Sequence, residues 1–110
     1  MRPDVEWITP SEDPEPGRYH GFAELEEFWS RWRATFGHLH FEVEDTIDAG
    51  DNVVVIARRS GEHSGVAISD RIVQVFSFDA DDRCFRVQEF YDRGIALNAA
   101  EHVGEGTGLG

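Results

Sequence analysis

Along this chain the spacing of hydrophobic positions changes from a period near 3.6 to a period of two, and that change divides it into helix and sheet. Asp4-Val-Glu-Trp-Ile8 alternates and predicts a short strand. Thr9–Arg18 holds Pro10, Pro14, Pro16 and Gly17 among acids and predicts a loop. From Gly21 the apolar residues Phe22, Leu25, Phe28, Trp29, Trp32 and Phe36 recur at three- and four-residue steps. That is one broad apolar helical stripe. Glu24, Glu26 and Glu27 lie in its first turns and Arg31 and Arg33 in its later ones, which suits the helix dipole. Gly37 is expected to end it. Four strands are then predicted: His40–Ile47, Val53–Arg59, Val66–Phe78 and Cys84–Tyr91. Turns separate them at Asp48–Asn52, Ser60–Ser64 and Asp79–Arg83. Ile95–Ala100 is long enough for about one helical turn. Gly104–Gly110 contains four glycines and is expected to fray. The reading is a single α+β domain over residues 1–102, a strongly curved antiparallel sheet packed on a helix, followed by a flexible Gly-rich tail over 103–110.

The last two strands carry a conflict with their own pattern. Ile72, Gln74, Phe76 and Phe78 share one face of the first, and Phe85, Val87, Glu89 and Tyr91 share one face of the second. If the acidic turn sets Phe78 opposite Phe85, then Phe76 meets Val87, Gln74 meets Glu89 and Ile72 meets Tyr91. Directly opposed residues lie roughly 5 Å apart at Cβ. An amide is therefore expected beside an acid on an otherwise apolar face. A buried carboxylate is costly unless partnered, so such a pair either holds a fold together or holds a ligand. As a ligand site, Glu89 would be a general acid or base whose pKa burial has raised. As a structural one, it would bond Gln74 or arginine side chains. Gln74 would orient Glu89 or donate to a carbonyl. Tyr91 would supply a hydroxyl, or sit in the core with its OH at the rim.

Composition narrows the function. A length of 110 residues fits one domain with one core and a small pocket. A net charge of -12 repels phosphate backbones and anionic lipid, which argues against nucleic-acid and membrane-surface partners. The single Cys84 cannot close an internal disulfide, which fits a cytoplasmic location. No apolar run approaches the ~20 residues of a membrane span. The third and fourth strands are apolar on both faces: Val73 and Val75 on one, Ile72 and Phe76 on the other. Such a sheet needs two covers. The aromatic helix supplies one, and no other segment is long enough for the second, which suggests a homodimer through the outer face.

Other candidates are weaker. His20 stands at the helix entry, where it would shuttle protons at a pocket mouth or be solvated. Trp7, Phe28, Trp29 and Trp32, with Phe76 on the sheet, would form a flat apolar ligand wall or simply core. His38, His40 and Glu42 alternate, but they do not make a metal set of three or four convergent donors. Asp79, Asp81 and Asp82 lack the distal Glu of a calcium loop. No phosphate loop, nucleophile elbow or paired-Cys motif occurs, and no cofactor or metal is expected.

Pro3-Asp-Val-Glu-Trp7, His20-Gly21 with Glu24-Leu25 and Phe28-Trp29, Asp48-Ala-Gly-Asp51 and Glu89-Phe-Tyr-Asp-Arg93 stand in an order that resembles the SnoaL-like branch of the nuclear transport factor 2-like superfamily. The resemblance spans residues 3–100. It implies a conical sheet closed by helices over an internal pocket, often dimeric through the outer face, with Trp7's strand beside the pocket. Members of that family usually open with a helical hairpin, whereas Met1 lies almost at the first strand. Either the natural start lies upstream, the favoured reading, or this cone lacks part of its lid. Ketosteroid isomerase-like members would place their acids near Trp7 and Gln74, neither of them a carboxylate. Limonene epoxide hydrolase-like members place one acid where Glu89 stands, but their accompanying Arg and Asp would fall near Val55 and Ala57. The implied function is an isomerase, cyclase or hydrolase acting on a small apolar carbonyl or polyketide-like compound by acid–base chemistry at Glu89. The alternative is a non-catalytic ligand-binding or dimerisation domain of the same fold.

Overall fold

The computed structural model describes residues 1–13 and 17–100, the side chains of residues 37 and 38 excepted. The expected tail over 103–110, Pro14, Pro16 and the His38 side chain lie outside the described residues. Six strands form one sheet: β1 (Glu6–Ile8), β2 (Arg18–His20), β3 (Gly37–Ala49), β4 (Asn52–His63), β5 (Val66–Phe78) and β6 (Cys84–Phe90). Helix α1 spans Gly21–Thr35, and a second helix, α2, covers residues 93–100. The spatial order is β2-β1-β6-β5-β4-β3. The β3–β6 meander is antiparallel, as the alternation predicts. The small β1 departs from the all-antiparallel expectation by pairing in parallel with β6.

Local chemistry explains the joints. At the head of α1, Gly21 has φ +77, a conformation that L side chains rarely adopt. Glu24 reaches back to accept the His20 backbone N–H at 3.0 Å. The β4–β5 turn is two residues, Ser64 and Gly65, both with positive φ, as a tight hairpin requires. The expected turn at Ser60–Ser64 is thus mostly strand. In the acidic turn, the backbone N–H groups of Asp81 and Arg83 donate to Asp79 Oδ1 at 2.9 and 3.0 Å. The Arg83 and Asp81 amides hold the Asp79 carboxyl below the usual carboxylate range against its partial desolvation.

The sheet has two faces with separate cores. On the inner face, Leu25 and Phe28 of α1 pack on Val5, Trp7, Cys84 and Val87, with Tyr19, Trp29, Trp32, Phe76 and Phe78 around them. Phe22, which the helical spacing puts in the apolar stripe, is instead 51% exposed. On the outer face, Val54, Ile56, Val73 and Val75 are covered by Ala96 and Ala100, with Leu97 beside them. The premise that no segment could cover this face is therefore corrected: α2 covers it in part. Two small residues one turn apart let the helix lie close to the strands. Asp92 caps α2, accepting the Ile95 N–H on Oδ1 at 2.9 Å.

Candidate functional site

The register between β5 and β6 puts Gln74 directly opposite Glu89 and Phe76 opposite Val87. Both pairs follow the alternation. A register shift between Ser77 and Phe78 sets Phe78 opposite Cys84 rather than Phe85. Tyr91 lies beyond the end of β6, so its expected pairing with Ile72 does not form.

Glu89 is 6% exposed. Its two oxygens are held separately. The Trp7 indole Nε1–H donates to Oε1 at 3.0 Å, and Gln74 Nε2 donates to Oε2 at 3.0 Å. Burial raises the Glu89 pKa. The hydrogen bonds from Gln74 and Trp7 and the charge of Arg59 oppose that rise without cancelling it. The carboxyl lines a cavity of about 440 Å³ with Trp7, Phe28, Trp29, Trp32, Gln74 and Arg59. All three tryptophans of the chain line this one space. Phe41, half exposed, also lines it.

Arg59 is not among the residues that the sequence pattern singles out. It is 7% exposed. Its Nε and Nη2 donate to the two oxygens of Asp70 at 2.9 and 2.7 Å, across the β4–β5 register. Its guanidinium carbon lies 4.9 Å from the centre of the Trp32 ring. Nη2 also donates to the Tyr91 hydroxyl at 3.4 Å. Burial opposes the charge on Arg59, but the hydrogen bonds and charge of Asp70 outweigh it and raise the pKa. One cue is present in the sequence: inward positions on β4 run 53, 55, 57, 59, so alternation puts a lone cation at the end of an apolar row.

Tyr91 stands apart from the Glu89 cavity. Its hydroxyl donates to Asp13 and accepts from Arg59. Burial and the bond to Asp13 push its pKa up to about 12. It lines a second cavity of about 540 Å³, on the other side of Phe28, Trp32 and Arg59. His20 is exposed and bonds Glu6 at 2.9 Å, away from both cavities. Phe76 packs in the inner core beneath the site and does not line the cavity. Of the eight expected residues, the fold therefore gathers five around one space: Glu89, Gln74, Trp7, Phe28 and Trp32. Among the described residues, no three His, Cys, Asp or Glu side chains are arranged to hold a metal ion, and no helix is long and apolar enough to cross a membrane.

A family model described as SnoaL-like domain matches residues 1–87. No curated protein matches. Among solved structures, a nuclear transport factor 2-like protein from Burkholderia thailandensis E264 superposes with a TM-score of 0.75 at 25% identity, covering 93% of this chain and 78% of that one. TerC, co-crystallised with polyporic acid, gives a TM-score of 0.73 at 24% identity over 93% of this chain and 80% of its own. A protein assigned as a SnoaL-like polyketide cyclase from Jannaschia sp. CCS1 gives 0.69 at 25% identity over 92% and 73%.

Proposed function

We propose that this chain, which belongs to the SnoaL-like domain family, binds a small, largely apolar carbonyl compound and moves a proton on it with Glu89. The observation that carries this reading is a buried carboxyl, raised in pKa, lining a cavity walled by aromatic rings. A cavity of about 440 Å³ falls in the ~300–1,000 Å³ range of small-molecule sites. A base works best when its pKa lies near the working pH, and burial moves Glu89 in that direction. Each carboxylate oxygen accepts one N–H and keeps a second lone pair to receive a substrate proton. Trp7 and Gln74 then act on the carboxyl rather than on the substrate: they fix its plane and steady its ionised form. The names of two neighbours, one bound to polyporic acid and one assigned as a polyketide cyclase, favour a ring-bearing, polyketide-like ligand.

Proton abstraction can be tested without the natural substrate. In D₂O, 2-tetralone exchanges its α-hydrogens, and proton NMR follows the loss. The protein should accelerate this exchange by about 10²–10⁴-fold, the usual span for a positioned base. Glu89→Gln should return it to the buffer rate. Tryptophan fluorescence reports occupancy independently, since all three indoles line the cavity. Binding without exchange would exclude catalysis on this class of ketone. It would favour the second reading, a ligand holder without chemistry, in which the hydrogen bonds from Trp7 and Gln74 to Glu89 serve to hold the carboxyl in place.

A further inference from the structure

Arg59 has five N–H groups, and its neighbours use only part of them. Nε and Nη2 serve Asp70 and Tyr91. Among the described residues Nη1 has no hydrogen-bond partner, in a side chain that is 8% exposed. A guanidinium held in a mostly buried side chain, with donors that its described neighbours do not use and that open space can reach, is placed to bind an oxygen. The charge around the cavity also differs from that of the chain. The chain carries a net charge of -12, yet the charged residues around the Glu89 cavity are two arginines, Arg33 and Arg59, and one acid. Burial raises that acid's pKa toward the neutral form. Each arginine has an acid beside it, Glu26 at 3.1 Å from Arg33 and Asp70 at 2.7 Å from Arg59, so charge at the cavity is close to balanced while the chain as a whole is strongly acidic. Packing of the Arg59 fork against Trp32 fixes its plane, so its donors are pre-organised rather than flexible.

We infer that the ligand of the Glu89 cavity carries a carboxylate, gripped by Arg59, on a planar apolar ring that reaches toward Glu89. This rests on the pocket reading above and names the ligand class for it: a small aromatic or polycyclic carboxylic acid. Asp70 has a defined part in this arrangement. It holds one edge of the guanidinium and neutralises part of its charge, which limits how tightly an anion is held and lets product leave.

Isothermal titration at pH 7 with 2-naphthoate and its uncharged isostere 2-naphthamide tests the inference on the whole protein. The acid should bind at least about tenfold more tightly than the amide, the effect of one charge-assisted hydrogen bond. Arg59→Met, which keeps packing against Trp32, should abolish that preference and bring acid and amide to equal affinity. Asp70→Asn should act in the opposite direction and tighten the acid about threefold or more, because it frees the fork and its charge. Equal binding of acid and amide to the wild type overturns the inference and leaves the pocket reading standing. Failure of both probes to bind below about 1 mM removes both. If Arg59→Met does not fold, Asp70→Asn decides: unchanged or weaker acid binding overturns the proposal.

Discussion

Glu89 illustrates how one carboxyl is held at a cost. Its pKa is raised in the folded state, so its ionisation favours unfolding. In the unfolded chain it titrates at about 4.3. Below that pH both states are protonated, and the folded protein keeps its full stability with respect to this group. As pH rises, the unfolded state ionises first, and stability is lost until pH passes the folded pKa. Glu89→Gln removes this loss. The replacement fits: its carbonyl can accept the Trp7 N–H, and a flipped Gln74 can accept its NH₂ with the amide oxygen. Thermal melts should therefore show the Gln variant more stable than wild type at pH 7, with the gap closing toward pH 4. A gap that stays constant with pH would mean that Glu89 titrates normally. The same substitution is expected to abolish proton exchange, so stability and activity move in opposite directions at this position, as expected where a site is strained for function. Arg59 differs. Its partner Asp70 is partly exposed, so removing the guanidinium strands no buried acid, and packing with Trp32 accounts for much of its structural role.

Among the elements, those legible in the sequence are the ones whose own residues decide them. The α1 stripe and the Gln74–Glu89 pairing follow from strong periodicity and a short turn. The missed features depend on partners. Ser60-Gly-Glu-His63 is polar and small enough to read as a turn, yet it is strand because β5 pairs with it as far as His63 and β3 supports it on the other side. That misplaced turn hides the Arg59–Asp70 pairing, which emerges only once the β4–β5 register is known. Helix α2 is undervalued for a similar reason. Residues 95–100 look too short to cover a sheet face, but Asp92 extends the helix by capping it, and two alanines allow close approach. Neighbouring positions test this account by urea denaturation. Ala96→Asp places an unpaired charge against Val54, Ile56, Val73 and Val75 and should cost about 3 kcal/mol. Ile95→Asp, at a position 57% exposed in the first turn, should stay within about 0.5 kcal/mol. Equal effects would mean that α2 does not seat on the outer face.

Across the whole molecule, charge acts in a way that no single contact reveals. A net charge of -12 on 110 residues makes the folded state repel itself. The ion pairs that offset it are mostly at the surface, such as Arg2–Asp4, Arg31–Glu27 and Arg71–Glu44. Exposed pairs of this kind contribute only about 0–1 kcal/mol each. The better-shielded pair, Arg59–Asp70, belongs to the cavity rather than to the surface. Salt weakens both the long-range repulsion and the surface pairs, since the Debye length falls to about 10 Å at 0.1 M. The two losses are unequal. Repulsion sums over all twelve excess charges, whereas each surface pair is individually weak. Raising sodium chloride should therefore raise the melting temperature. The same screening should loosen a carboxylate ligand if Arg59 holds it, and leave an uncharged ring unaffected. Stability and acid binding would thus respond to salt with opposite signs. Melts and titrations run across the same salt series separate the field of the whole, acidic chain from the local charge of Arg59 at its cavity. A melting temperature that falls with salt would mean that the surface pairs outweigh the net charge.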